Sequence, residues 1–515
     1  MIVITHKQNK VVSVLDYTSK KTINISTSKL VEAFFELAKA NANRLIVWCH
    51  DDLKTAINEV EINAIFHHKL IMASFEVRNS YYIDKRIGYV ESSPFIKVNK
   101  NVNYPTWLMS SCIGGIYAEA LLQFKHKDFK HQTFDFVLNS IAKSEIKNGL
   151  FCYSSPKLLK PNSVVLESIK PSTYELFKFV KKHYKSRWAL LTLFNSMIYE
   201  KRFLILPYLS SFFTSGSISN PNFKDVEVVS AKKYNPNFAI DVIIPTIGRA
   251  TFLYDVLQDL ASQTLLPKNV IIVEQNPDAN SKSELDFLTT KAWPFKIKHS
   301  FIHQTGACNA RNIALKQVES EWVFLADDDI RFDNQTLEKA LNSISTLGVS
   351  AATLSCLKEG EKEKNTTIKQ WHTFGSGCSI ICNEIAKRIT FDIAYEHGFG
   401  EDGDFGMQLR NIGDDIAYLP QVHLVHLKAP IGGFRTPFIH PWQNDEVQPK
   451  PSPTIMLYNL KHQTDFQIKG YKTLLFFKYF KLQSNKNVFS YFFQMRERWK
   501  SSEKWANQLK AKTSI

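Results

Sequence analysis

The sequence predicts an α/β protein of more than one domain, and three observations carry that expectation. Short apolar runs alternate with helically spaced ones through the second half of the chain. The 515 residues are too many for one ordinary core. One stretch, Trp322-Val323-Phe324-Leu325-Ala326-Asp327-Asp328-Asp329, runs from a wholly apolar segment straight into three carboxylates. So short a run, with Val and aromatics, reads as a parallel strand buried on both faces. Three adjacent charges at its end are costly unless something cationic meets them. The carboxyl edge of an open α/β sheet, where ligands bind, is the place for that. Hard oxygen donors suit Mg²⁺ or Mn²⁺. The alternative is an acidic turn in which Asp329 favours the first turn of a following helix.

A hydrophobic content of 44% with 22% charged residues describes a folded chain and excludes a disordered one. The net charge of +15 favours anionic partners such as phosphates, nucleotides or an acidic membrane face. The lysines are diffuse and form no recognition motif, so nucleic acid is not an expected partner. Seven scattered cysteines argue for free thiols in a reducing compartment. Cys378 and Cys382 are four apart, but no second pair completes a zinc site. The start, Met1-Ile2-Val3-Ile4-Thr5-His6-Lys7, lacks the features of a secretory signal. The longest apolar stretch, Trp188 to Phe213, is broken by Glu200, Lys201 and Arg202, too early for a membrane span. The expected location is cytoplasmic, with room for peripheral contact at the inner face of the membrane.

Residues 1–213 read as an α/β domain. Leu45-Ile46-Val47-Trp48 is a buried strand ending at Cys49-His50-Asp51-Asp52, which echoes the acidic strand tip above with one acid fewer. Ile87-Gly88-Tyr89-Val90-Glu91, Tyr104-Pro105-Thr106-Trp107 and Gly114-Gly115 read as strand and turn punctuation, the Gly-Gly pair permitting tight backbone approach. A divergent, inactive copy of the second domain and an acceptor-binding or partner-docking module both fit this region. Residues 214–237, rich in Ser, Asn, Gly, Pro and Lys, are the expected linker.

The second domain, 238–447, opens with Ile240-Asp241-Val242-Ile243-Ile244-Pro245-Thr246, a strand stopped by proline, and Gly248-Arg249 makes the turn. Val270 to Val273, ending at Glu274, is a second strand and Ile297 to Ile302 a third. A helix then follows Gly306 with Ala310, Ile313 and Ala314 on one side. Residues 448–515 form a basic, aromatic helical tail that packs on the core or lies on an anionic bilayer.

In this order the motifs resemble the family 2 glycosyltransferases of the GT-A, nucleotide-diphospho-sugar transferase-like fold, over about residues 238–430. The resemblance implies an inverting, metal-dependent transfer from a nucleotide-sugar to a hydroxyl acceptor in surface glycan or polysaccharide synthesis, the acceptor being a glycan, a lipid-linked molecule or a protein. It places Pro245, Thr246 and Arg249 at the nucleoside. Glu274 would accept from uracil, which favours a UDP-linked donor, and Arg311 in Ala310-Arg311-Asn312 meets the diphosphate. Asp327 and Asp328 join the donor-binding set of this DXD motif, and Asp327, Asp329 and His426 hold Mn²⁺ or Mg²⁺, with His423 the local competitor for the last position. Phe374-Gly375-Ser376-Gly377-Cys378-Ser379 resembles the acceptor loop. Asp402, beside Glu401 at the start of a helix, matches the general base. The Gln-x-x-Arg-Trp motif of processive members is missing from its place after the base, which argues for transfer of one or a few sugars. Two other readings stay open: a bifunctional enzyme with a second site at Asp51-Asp52, or a catalytically silent sugar- or partner-binding scaffold.

Overall fold

The computed structural model describes the chain apart from residues 130, 162, 163, 165, 215–220, 233, 235–237, 431–437, 484–486 and 513–515. Ten of these fall in the expected 214–237 linker (215–220, 233 and 235–237), which to that extent lies outside the described residues. The chain forms two compact units, Met1–Lys232 with Gln463–Leu474, and Lys233–His462 with Leu475–Ile515.

The first unit begins with strands β1 (Ile2–Lys7), β2 (Lys10–Asp16) and β3 (Lys21–Thr22). Helix α1 (Leu30–Ala40) leads to β4 (Leu45–His50), α2 (Glu59–Ile65) and β5 (Ile71–Phe75). Then come β6 (Tyr104–Pro105), β7 (Ile113–Tyr117), α3 (Ala118–Leu121), α4 (Phe134–Glu145) and β8 (Phe151–Ser154). Helices α5 (Thr173–His183), α6 (Ser186–Glu200) and α7 (Ile205–Ser210) follow. The sheet order is β3-β2-β1-β4-β7-β5-β8-β6, and Phe34, Trp48, Trp107 and Phe136 anchor the core beside it.

Two local expectations are corrected here. Ile87–Glu91 is not a strand: Lys85–Tyr89 is a 3₁₀ turn, started by the Asp84 carboxylate accepting from the Arg86 amide. Arg86 is then fixed between Asp84 and Glu200. Gly114-Gly115 is not a turn but the middle of β7. A Cβ on Gly114 would lie 2.3 Å from the Trp48 ring, so glycine is there to admit the indole.

The second unit contains β9 (Ile240–Thr246), α8 (Ala250–Ala261), β10 (Asn269–Gln275), α9 (Phe287–Thr290) and β11 (Lys296–Ile302). It continues with α10 (Ala307–Leu315), β12 (Trp322–Ala326), β13 (Ile330–Phe332), α11 (Thr336–Leu347) and β14 (Ala351–Lys358). After β15 (Lys369–Gln370) and β16 (Cys378–Cys382) come α12 (Asn383–Ala386), α13 (Glu401–Asn411) and β17 (Ile416–His426). The C-terminal helices are α14 (Pro453–His462), α15 (Asp465–Phe480) and α16 (Val488–Lys512).

Strand order in this second sheet is β11-β10-β9-β12-β16-β14-β17-β13, with β15 also paired to β17. β11, β10, β9 and β12 are mutually parallel, β16 is antiparallel to both its neighbours, and β14 and β17 are parallel to each other. The carboxyl ends of all the long parallel strands therefore share one edge with the start of β16. Every residue of β12 is buried, as its unbroken apolar run requires. At the opposite edge the buried Asp241 carboxylate accepts from Asn269, Glu319 and Ser320 amides, which pins β9 to its neighbours. Among the described residues, no helix is long and apolar enough to cross a membrane.

Candidate active site

The shared edge of the second sheet encloses a cavity of about 460 Å³. β9 brings Pro245, Thr246 and, just past its end, Arg249; β12 delivers Asp327, Asp328 and Asp329; β17 ends at His426; and α10 and α13 contribute Arg311 and Glu401. Nine of the residues singled out in the sequence thus stand around one space. Glu274 and Asp402 are not on its wall.

The three aspartates do different things. Asp328 is buried and accepts from Thr246 Oγ1 at 2.7 Å and from Arg249 at 2.6 Å. Burial still pushes its carboxyl up, to about 6, against the pull of Arg249. It is an internal tie that fixes the β9 turn to the β12 tip. Asp327 and Asp329 flank it. One ligand atom each from Asp327, Asp329 and His426 lie within 4.8 Å of one another. His426 Nε2 is 3.3 Å from Asp329 Oδ1, and the Ala429 amide donates to Asp329 Oδ2 at 2.9 Å. Burial raises the Asp329 carboxyl, but these two donors and Arg249 outweigh it and hold it below the usual range. The same contact raises the His426 imidazole. His423 is exposed and does not reach the cavity. Two carboxylates and one imidazole on the wall of one cavity are a fitting donor set for Mn²⁺ or Mg²⁺.

Arg311 is buried, sits 3.0 Å from Asp327 Oδ1, and has an Nε that makes no hydrogen bond among the described residues. That leaves a spare guanidinium donor beside the acidic tip. The loop before β16 passes so close that a Cβ on Gly377 would lie 2.0 Å from Asp327 Oδ2, so only glycine fits there. Next to it, the Ser376 amide donates to Asp402 Oδ1 at 3.1 Å, and the Phe374 amide to the Asp402 carbonyl at 3.3 Å. The loop and the start of α13 are therefore one hydrogen-bonded piece. Burial, reinforced by Asp402, pushes the Glu401 carboxyl up to about 7. Burial raises Asp402 as well, against the attraction of Arg311.

Glu274 turns the other way along β10. Its carboxylate meets His299 Nε2 at 2.9 Å and the Glu284 amide at 3.2 Å. Its neighbour Gln275 lines the cavity instead and accepts from the Gly306 amide. Sequence reasoning also missed Glu396, which lines the cavity and caps α10 by accepting from the Cys308 and Asn309 amides at 3.1 and 2.9 Å. Lys428, two residues past His426, was missed too. Neither belongs to a motif; an acid five residues before Glu401 was the only available hint.

Residues 241–412 match the family model described as glycosyl transferase family 2. The second unit carries a family 2 glycosyltransferase domain. The model spans the β9 strand, the acidic tip and α13, though not His426. A curated relative, the minor teichoic acid biosynthesis protein GgaB of Bacillus subtilis (strain 168), is 26% identical over 115 residues. That match takes in 22% of this chain and only 13% of GgaB. A solved structure of S. aureus TarS 1-349 in complex with UDP-GlcNAc is 20% identical, with a TM-score of 0.37 over 48% of this chain and 76% of that one. GalNAc-T7 with UDP, GalNAc and Mn²⁺ is 14% identical, with a TM-score of 0.31 over 39% and 48%.

Proposed function

We propose that the family 2 domain is an inverting, metal-dependent glycosyltransferase that moves one sugar from a nucleotide-sugar to a hydroxyl acceptor. The observation that carries this is the meeting of Asp327, Asp329 and His426 with Glu401, the first residue of α13, in one cavity of the family 2 domain. Asp327, Asp329 and His426 would hold Mn²⁺ or Mg²⁺, which offsets the charge of the donor diphosphate as it leaves. Arg311 adds positive charge on the same side, and Thr246 and Arg249 keep the nucleoside end of the cavity in shape through Asp328. Asp402, fixed by the Ser376 amide, takes the proton of the acceptor hydroxyl in a single displacement. A second assignment has its own support: Glu401, unlike Asp402, stands on the cavity wall with a carboxyl near 7.

Glu274, on which a uridine preference would rest, has both oxygens engaged by His299 and the Glu284 amide and stands off the cavity wall, so the donor base has to be read by experiment. UDP-sugars of the hexose and N-acetylhexosamine classes are the donors to try first, and the minor teichoic acid biosynthesis for which GgaB is named makes a surface glycan the acceptor class of choice. The test is donor binding across a panel of nucleotide-sugars with Mn²⁺ or Mg²⁺ and with EDTA. One UDP-sugar is expected to bind only with metal. Asp329→Ala should weaken it by more than the ~10–100-fold typical of losing an outer-shell metal partner. Binding indifferent to both metal and Asp329 would make the acidic tip structural.

Peripheral membrane contact belongs to the same reading. In the first unit Leu190, Phe194, Phe203, Leu206, Phe212 and Phe213 are exposed along α6, α7 and the turn after them, with Lys185, Arg187, Lys201 and Arg202 exposed on the same segment. Apolar rings beside cations suit an anionic bilayer. The chain should float with phosphatidylglycerol vesicles and not with phosphatidylcholine ones, and Phe212→Ser with Phe213→Ser should release it. Equal behaviour with both vesicles would refute this.

A further inference from the structure

Five strands of the first unit's sheet repeat five of the second's, in the same spatial and chain order. Unit one places β1-β4-β7-β5-β8 side by side, and unit two places β9-β12-β16-β14-β17. The directions agree: β1 and β4 are parallel like β9 and β12, β7 is antiparallel to both neighbours like β16, and β5 and β8 are parallel like β14 and β17. The helices fall in the same gaps, with α1, α2 and α4 where α10, α11 and α13 stand.

Register turns this likeness into residue pairs. The His50 amide donates to the Cys112 carbonyl as the Asp327 amide donates to that of Gly377. Cys49 then faces Ile113 as Ala326 faces Cys378. The Thr106 amide donates to Cys152 as that of Trp371 does to Ile416. Segment 104–117 therefore overlays segment 369–382 without a gap. Within it Ser111 matches Ser376, and the Ser111 amide donates to Asp135 Oδ1 at 3.0 Å as the Ser376 amide does to Asp402 Oδ1 at 3.1 Å. Asp135 and Asp402 are each the second residue of the corresponding helix. Unit one thus keeps the carboxylate at the base position.

The donor side differs. His50 stands in place of Asp327, and Asp52, in place of Asp329, is paired to Lys7 at 3.2 Å. Phe134 replaces Glu401, and its ring packs on Phe34, Trp48 and His6 with centroids 5.2, 5.7 and 5.8 Å away. β8 ends at Ser154, the counterpart of Tyr418, and a turn over Pro156–Leu158 follows, so among the described residues no strand reaches the place of His426. Asp135 itself is taken by the Ser111 hydroxyl at 2.8 Å and lies 4.0 Å from Arg78, which is ion-paired to Glu76.

We infer that the first unit is a second, catalytically silent copy of the transferase-type domain, so the chain has one donor site and adds one kind of sugar. The inference rests on the donor-binding reading of the second unit. A polymer of two alternating sugars would then need a separate transferase to supply the other residue.

The test is binding stoichiometry on the full chain, with the nucleotide-sugar identified by the panel and Mn²⁺ as the probes. One molecule per chain is expected, lost in Asp329→Ala and kept in Asp52→Ala and Asp135→Asn. Turnover should be unchanged in both first-unit variants. Asp52 is surface-exposed, so its variant serves should Asp135→Asn fail to fold. Two molecules per chain, or a transfer that survives Asp402→Asn and disappears in Asp135→Asn, would overturn the inference while leaving the proposed function in place. No donor bound by the wild type would overturn both.

Discussion

Asp402→Asn is expected to lower transfer by about 10²–10⁴-fold, the range of general-base catalysis, with donor affinity retained. The substitution is nearly isosteric. An asparagine oxygen still accepts the Ser376 amide, so the loop that carries Gly377 against Asp327 stays joined to α13. What disappears is the ability to take a proton. Glu401→Gln, measured alongside, separates the two assignments. If Glu401→Gln stops turnover and Asp402→Asn does not, the wall carboxylate is the base and Asp402 only positions it. If both variants turn over normally, proton transfer at this helix start is not part of the reaction. Single-turnover measurement with saturating donor reads the chemical step and leaves binding aside.

Where the chemistry sat in contiguous residues, the sequence was easy to read. β9, β10 and β12 carry the apolar runs at residues 242–244, 270–273 and 322–326 because both their faces are covered, and each run stops at a proline or an acid. Asp327-Asp328-Asp329 and Glu401-Asp402 announce themselves by charge in an apolar setting. Their division of labour was not legible. Asp328 is an internal tie while Asp329 meets His426 at the cavity, and only the positions of Thr246, Arg249 and His426 decide which is which. Glu396 was invisible because its role comes from a turn folding back onto the amides of α10 from nearly ninety residues away. Glu274 against Gln275 was a matter of strand parity, which a one-residue choice at a strand tip reverses.

The first unit was harder for a different reason. Its β2 is a hairpin partner of β1, where the second unit has a helical crossover to β10, so the opening pattern of the two halves differs. Its β7 carries Gly114 and Gly115 in mid-strand, where glycine normally signals a turn. Trp48 lying against Gly114 and Phe66 against Gly115 explain them. Burial constrains a core strand to be apolar and leaves its identity free, so two copies can keep register through five shared strands while sharing few residues.

Asp404→Asn should produce the largest loss of stability, about 3–5 kcal/mol, the cost of removing one partner from a buried charged network. Asp404 is 1% exposed and lies one turn into α13. Its carboxylate accepts from Lys461 Nζ at 2.5 Å, His462 Nε2 at 2.6 Å, Gln408 at 2.7 Å and Tyr395 at 3.2 Å. These contacts join the end of α14 to the helix that begins with Glu401 and Asp402, and to the turn that holds Glu396. Burial alone would raise this carboxyl; His462 and Lys461 outweigh it and hold it down at about 2. A depressed folded value means that the stabilisation is fully present above the unfolded value, about 3.9, and is lost as the pH falls through about 2. Urea unfolding midpoints of wild type and variant should therefore differ most near neutrality and converge as the pH drops from about 4 towards about 2. A gap that persists unchanged into that range would mean that the variant fails through lost packing and not through lost charge. Because the network lies behind the cavity, the folded fraction of Asp404→Asn should bind donor near the wild-type level but turn over more slowly, since α13 is no longer held at its first turn. A variant with normal turnover per folded molecule would show that α13 needs no such anchor.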